Sequence, residues 1–172
     1  MRRKLTWLLL FSTAITVTAL YRAKKAGATP SSGFSSSTLA LGRFGDIDVV
    51  NSLAVGKEGK IWLSEQRSQG LSDLYVVSNT WQPGGSTGWH KHHSHSLIIV
   101  TAGTLTDYEG NDPKCTPHVY TQGMGFIDHG GEDHVHIIRN EGDVVASSVV
   151  VQLIPAGATR RLDVDAPGNC SF

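Results

Sequence analysis

The stretch Gly84-Gly-Ser-Thr-Gly-Trp-His90-Lys-His92-His93-Ser-His95-Ser96-Leu-Ile-Ile-Val-Thr-Ala-Gly103 crowds four histidines between a glycine-rich turn and an apolar run. All eight histidines of the 172-residue chain fall between His90 and His136, and a second cluster reads His129-Gly-Gly-Glu-Asp-His134-Val-His136. Imidazole is the commonest metal ligand and titrates near neutral pH, so rings crowded together and merely charged would repel. A shared metal ion relieves that repulsion. On a strand, residues two apart face the same side. His90 and His92 therefore point together, with Ser94 and Ser96 next along that face, while His93 and His95 turn outward as surface residues. His134 and His136 also share a face. Two His-x-His pairs on facing strands supply three or four nitrogens to a zinc, iron, manganese, nickel or copper ion. Three imidazoles with open positions make a catalytic geometry rather than a closed structural one.

The surroundings of that stretch read as β structure. Short runs rich in Val, Ile, Leu and aromatics recur from about residue 45, separated by Gly, Pro, Asn and Asp. The expected strands are 60–63, 74–81, 97–101, 104–108, 118–120, 125–127, 134–139 and 144–153. Turns are legible at Ala102-Gly103, Gln122-Gly123 and Asn140-Glu-Gly-Asp143. No long segment beyond the N-terminus has apolar spacing of 3.6 residues, and turns every eight to twelve residues indicate a sandwich or barrel. The expectation is one all-β domain over residues 41–165, after a flexible Ser/Gly spacer at 29–40 and before a tail at 166–172.

The spacing Gly84-x5-His90-x-His92-x3-Ser96-x6-Gly103 resembles the first motif of the cupin superfamily, G-x5-H-x-H-x3-E-x6-G, with Ser96 in the glutamate position. The second motif, G-x5-P-x-G-x2-H-x3-N, fits in two registers. One uses Gly125, His136 and Asn140; the other uses Gly123, Gly131 and His134. The first is preferred because Asn140-Glu-Gly142 is the turn expected at that strand's end. The resemblance spans roughly residues 70 to 155. It implies a small single-domain jelly-roll β-barrel holding a divalent transition metal inside, on His90, His92 and His136, with His134 the contested alternative. Ser96 cannot serve as an anionic ligand, which leaves a neutral three-His centre. Cupins with three-His centres include dioxygenases, so a metal-dependent oxygenase-type enzyme on a small molecule is one expectation. A non-catalytic cupin binding module for a small ligand, with a degenerate metal site, is the other.

Other residues read more plainly. His118 reads as a packing or surface residue, and His129, in a glycine-rich turn, as a rim or a functional position. Asp128 and Asp133 read as turn acids that could orient a histidine, and Arg160-Arg161 as a surface pair. Trp81 and Trp89 flank the glycine loop as packing residues. No phosphate loop, CxxC pair or nucleophile elbow is present.

Charge and cysteines set the expected compartment. The first 28 residues hold six Lys/Arg and no acid, leaving nine basic against fifteen acidic residues beyond them, a net of −6. An acidic domain is a poor partner for nucleic acid or an anionic membrane. Met1-Arg-Arg-Lys4 followed by the apolar run Leu5 to Leu20, with Ala26-Gly27-Ala28 as a cleavage site, has the layout of a secretory signal over residues 1–28. Export to a periplasmic or extracellular space is preferred to retention as a membrane anchor, because a run of sixteen residues that includes Thr6, Thr13, Thr16 and Thr18 is short for a span. Cys115 and Cys170 most simply form one disulfide in that oxidising setting. It closes a loop of about 56 residues and stabilises the fold by about 4 kcal/mol. Small-molecule ligands are the expected partners, and a homodimer is left open.

Overall fold

The computed structural model describes residues 28–55 and 58–172. The expected signal segment over residues 1–28, and its alternative as an anchor, lie outside those described except for Ala28. Twelve strands follow in order among the described residues: β1 (Ser32–Phe44), β2 (Ile47–Val55), β3 (Lys60–Ser68), β4 (Ser72–Ser86), β5 (His90–Lys91), β6 (Ser96–Ala102), β7 (Thr104–Glu109), β8 (His118–Thr121), β9 (Gly125–Asp128), β10 (His136–Arg139), β11 (Ala146–Pro155) and β12 (Leu162–Asp163). All pairings are antiparallel. One layer runs β1-β4-β11-β6-β9 and the other β12-β5-β10-β7-β8. The layers meet where Ser86, at the end of β4, pairs with Arg139 of β10, giving a nearly closed barrel. No helix among the described residues is long and apolar enough to cross a membrane.

Alternation along the strands fills the interior. β6 turns Ser96, Ile98 and Val100 inward, and β11 turns Ala146, Ser148, Val150, Gln152 and Ile154 inward. Leu105, Phe126, Val77 and Trp81 complete an apolar core at one end. The inward polar residues gather at the other end, where burial has to be matched by hydrogen bonds or a ligand. Gly103, between β6 and β7, has φ +68°, and a Cβ there would lie 2.9 Å from the Ala146 Cα, so only glycine fits this tight turn.

The spacer expected at 29–40 is a strand. β1 pairs with β4 from Ser32↔Ser86 to Phe44↔Ser72. Serine-rich composition argues for flexibility, but the open edge of the fifteen-residue β4 offers a row of backbone partners. Phe34 fixes the register by packing its ring 5.0 Å from that of Trp81. β2 and β3 form a separate hairpin whose Leu53, Ile61, Trp62 and Leu63 are exposed.

The disulfide is formed, with Cys115 and Cys170 5.3 Å apart at Cα and 55 residues apart in sequence. It fastens the tail over a second apolar cluster of Trp89, Tyr108 and Ile137. Phe172 completes the contact, its ring 4.9 Å from Tyr108 and 4.1 Å beneath the Arg139 guanidinium. Asp112 shapes the turn that carries Cys115, accepting hydrogen bonds from the Lys114 amide at 2.9 Å and the Thr116 amide at 2.7 Å. Thr116 and then the Lys114 amide hold its carboxyl at about 2, below the ordinary 3.8. A folded-state pKa lowered in this way stabilises the protein above the ordinary value, and the gain is lost as pH falls toward about 2. Asp112→Ala is therefore expected to lower the melting temperature at pH 6, with the gap to wild type closing as the buffer is taken down to pH 2. A gap independent of pH would contradict the assignment.

Candidate metal centre

The short strand β5 is held between β10 and β12, so His90 pairs directly with His136 on one side and with Asp163 on the other. This register sets the two rings side by side in the barrel, with centroids 4.4 Å apart and planes tilted by 42°. His92 lies just beyond β5, its ring 4.8 Å from His90 and 5.6 Å from His136. Each ring is anchored through Nδ1. His90 Nδ1 donates to the Gly88 carbonyl at 2.9 Å, and His92 Nδ1 to the Arg160 carbonyl at 2.5 Å. His136 Nδ1 meets the Asp107 carboxylate at 3.1 Å. A carbonyl oxygen can only accept, so the proton sits on Nδ1 in His90 and His92, and Nε2 is the atom left to coordinate. The buried His136 Nε2 has no hydrogen-bond partner among the described residues. Ligand atoms of His90, His92 and His136 all lie within 4.8 Å of one another. An orphaned nitrogen among three oriented imidazoles is what a metal site presents.

A buried carboxylate stands beside the set. Asp128 is 1% exposed, and its Oδ2 lies 3.2 Å from His92 Nε2 and 3.7 Å from His136 Nε2. Two donors at about 2.1 Å from one ion lie about 3.0–3.4 Å apart, so the Asp128–His92 separation suits ligands of a common metal, and the 3.7 Å to His136 is wider than that range. Asp128 is the direct cross-strand partner of Ser96, whose hydroxyl donates to Oδ2 at 3.2 Å. The acid absent from position 96 is thus present on the neighbouring strand. The loop after it is tightly built: the Gly130 amide donates to Asp128 Oδ1 at 3.1 Å, and Gly130 has φ +63° with no room for a Cβ against the Ser94 backbone.

His134 stands behind this set. Its Nε2 lies 3.3 Å from Asp128 Oδ1 and its Nδ1 3.3 Å from Glu109 Oε2, between two carboxylates. The structure thus brings His136, rather than His134, together with His90 and His92; His134 groups with Asp128 and His136. Asn140, from the same motif register as His136, closes the turn after β10 by donating to the carbonyls of Trp81, Gln82 and Val144.

The charge states follow from burial and neighbours. Burial, then the proximity of His136 and Arg161, pushes His90 well below its ordinary value and keeps it neutral. Burial also lowers His92, against the opposing pull of Asp128. Burial works against protonation of His136 as well, but the Asp107 hydrogen bond and the Asp128 charge outweigh it and raise the ring. Burial pushes Asp128 up, yet its contact with His134 and the charges of His136 and His92 hold it well below the usual carboxylate range.

His93 and His95 are exposed, as expected, in the bend between β5 and β6, and His118 and His129 are exposed as well. Asp128 is no solvated turn acid: it continues the inward parity of Phe126, and an expected strand ending at 127 stops one residue short of it. Asp107 shares a face with the buried Leu105. An acid in the apolar register of a strand is the signal that marks both. Arg160 and Arg161 are not a surface pair. They line a cavity of about 350 Å³ that also borders His90, His92, His136 and Asp128.

The first-motif spacing, a two-layer antiparallel barrel and histidines converging inside it now stand together. The fold is a nearly closed, two-layer antiparallel β-barrel. No protein family's sequence profile matches the chain, and no curated protein matches it. Solved structures similar to it include an uncharacterized conserved protein with a double-stranded beta-helix domain from Klebsiella pneumoniae, 19% identical, covering 70% of this chain and 85% of that one with a TM-score of 0.45. A cupin superfamily protein from Desulfitobacterium hafniense is 12% identical, covering 62% and 78% with a TM-score of 0.40. An oxalate oxidase is 20% identical, covering 48% and 46% with a TM-score of 0.40. The chain spans less than half the length of that oxidase chain.

Proposed function

We propose that this protein binds one divalent transition-metal ion through His90, His92 and His136, with Asp128 as the anionic fourth donor, and uses it on a small molecule outside the cytoplasm. The observation that carries this reading is the unpartnered His136 Nε2, buried among rings whose Nδ1 atoms are already engaged. A metal ion there supplies Lewis-acid or redox chemistry to a bound oxygen group. Asp107 and the Gly88 and Arg160 carbonyls orient the rings, and Asp128 offsets the charge that a three-His centre leaves uncompensated. That compensation favours the metal-dependent reading over a barrel with a degenerate site. The disulfide supports an oxidising compartment and hence export.

Elemental analysis tests the reading directly. Mature protein made by secretion without an oligohistidine tag should carry about one first-row metal ion per chain. His90→Ala and His136→Ala should each purify with almost none while retaining the wild-type circular dichroism. Failure to retain stoichiometric metal from any first-row ion supplied would remove the proposal.

A homodimer is proposed on separate grounds. An isolated two-stranded hairpin is marginal in water, yet β2–β3 exposes Leu53, Ile61, Trp62 and Leu63. A second copy of this chain covering that hairpin accounts for both. Light scattering should give twice the chain mass, reduced to the monomer mass in Trp62→Lys; a monomeric wild type would refute it.

A further inference from the structure

Next to the metal centre the cavity wall carries a second, unsatisfied chemistry. Gln152 of β11 pairs across to Ser96 of β6, and Ser96 to Asp128 of β9, which makes one inward row across three strands. Gln152 is 1% exposed. Its Oε1 accepts from Arg160 Nε at 3.3 Å, but its Nε2 has no hydrogen-bond partner among the described residues. Arg160 lies with its guanidinium 5.0 Å from the centre of the Tyr75 ring, half-buried and with no carboxylate paired to it among the described residues. Arg161 differs: its Nε is tied to Asp163 at 2.6 Å and another nitrogen to the Thr87 carbonyl. The wall therefore presents a cation lacking a counter-ion beside an amide lacking an acceptor.

We propose that Arg160 and Gln152 form the binding subsite for a small carboxylate anion, held beside the metal centre. The proposal rests on the metal reading above for what the bound molecule faces, and names the class of molecule. A planar guanidinium matches the two oxygens of a carboxylate, and the Gln152 amide supplies a further donor on the same wall. A neutral ligand would leave the charge of Arg160 unmatched in a partly desolvated place. The cavity of about 350 Å³ is at the lower end of small-molecule sites, which restricts the anion to a compact one. Ser96 contributes by being short. A long acidic side chain there would stand between Gln152 and Asp128, filling the space and repelling the anion, whereas serine leaves it open. Sequence reading passes over Gln152 because a lone glutamine in an apolar strand looks like a solvent-facing residue.

The test is isothermal titration of the full mature protein with succinate, with its neutral diamide, and with inorganic phosphate. Succinate should bind and the diamide should not. Arg160→Ala and Gln152→Leu should each weaken succinate by about tenfold or more, with His93→Ala unchanged. Arg160→Ala removes only the side chain, so the carbonyl that anchors His92 remains and metal content should stay at the wild-type level. The carboxylate subsite is overturned if succinate shows no binding up to about 10 mM, if both variants bind it as tightly as wild type, or if phosphate binds as well and depends on the same residues. The two readings separate cleanly. Succinate binding that needs Arg160 in a protein that never holds metal keeps the subsite and removes the metal centre; retained metal with no succinate binding does the reverse.

Discussion

Asp128→Asn should lower the affinity for a divalent metal by about a hundredfold, equivalent to about 2.8 kcal/mol. The substitution is nearly isosteric: its one oxygen can still accept from the Gly130 amide, so the loop that follows β9 keeps that contact, while the NH2 that replaces Oδ2 can donate to the Ser96 hydroxyl oxygen. What disappears is the negative charge placed 3.2 Å from His92 Nε2 and 3.7 Å from His136 Nε2. Three neutral imidazoles leave the charge of a divalent ion uncompensated inside the barrel, so the loss falls on the bound state. The comparison that gives the measurement its force is Ser96→Ala. That change deletes only a hydroxyl donated to Asp128, and should alter affinity by no more than about threefold. Competition with a chromophoric chelator reads both variants on one scale. Equal affinities for wild type and Asp128→Asn, or a larger loss in Ser96→Ala, would show that the carboxylate is not a donor.

Removing the disulfide should have the largest effect on stability. In the chain-entropy treatment a closed loop of about 56 residues stabilises the folded state by about 4 kcal/mol, so Cys115→Ser with Cys170→Ser should lower the melting temperature by about 10 °C. The bond does more than shorten the unfolded chain. It secures the tail whose Phe172 packs on Tyr108 and lies parallel to Trp89 at 6.5 Å, and Trp89 directly precedes His90. The double variant should therefore also show increased quenching of tryptophan fluorescence by iodide. A fall in melting temperature under 2 °C would mean that the tail is held by packing alone.

What the sequence discloses of this site is set by how far each residue acts through local spacing. His90 and His92 are legible from a two-residue interval that on a strand selects one face, although β5 ends at Lys91 and His92, His93 and His95 lie in the bend before β6. Their histidine partner is less local. Both His134 and His136 satisfy the parity of their strand, and only the pairing His136↔His90 decides which of them joins the pair. Asp128 needs still more: the β6–β9 register that sets it opposite Ser96 cannot be read from either segment alone. Arg160 and Arg161 lie in a segment without periodicity, and their inward placement depends on β12 pairing with β5. The barrel itself is plain from short apolar runs and turn residues. β1 escapes because its serines signal a linker, while the edge of β4 that recruits it lies some forty residues downstream.

The register Ser96↔Asp128 has a consequence for how such a site can change over generations. Because the two positions face one another across a single ladder, the acid can move from one strand to the other by two successive substitutions, with an intermediate that carries both acids and at no stage lacks one. A lineage can thus relocate its ligand without losing its metal. The two end points are not equivalent, however. An acid on β6 fills the gap beside Gln152, whereas an acid on β9 leaves that gap to a guest molecule. The choice of strand is a choice of what else the barrel can admit.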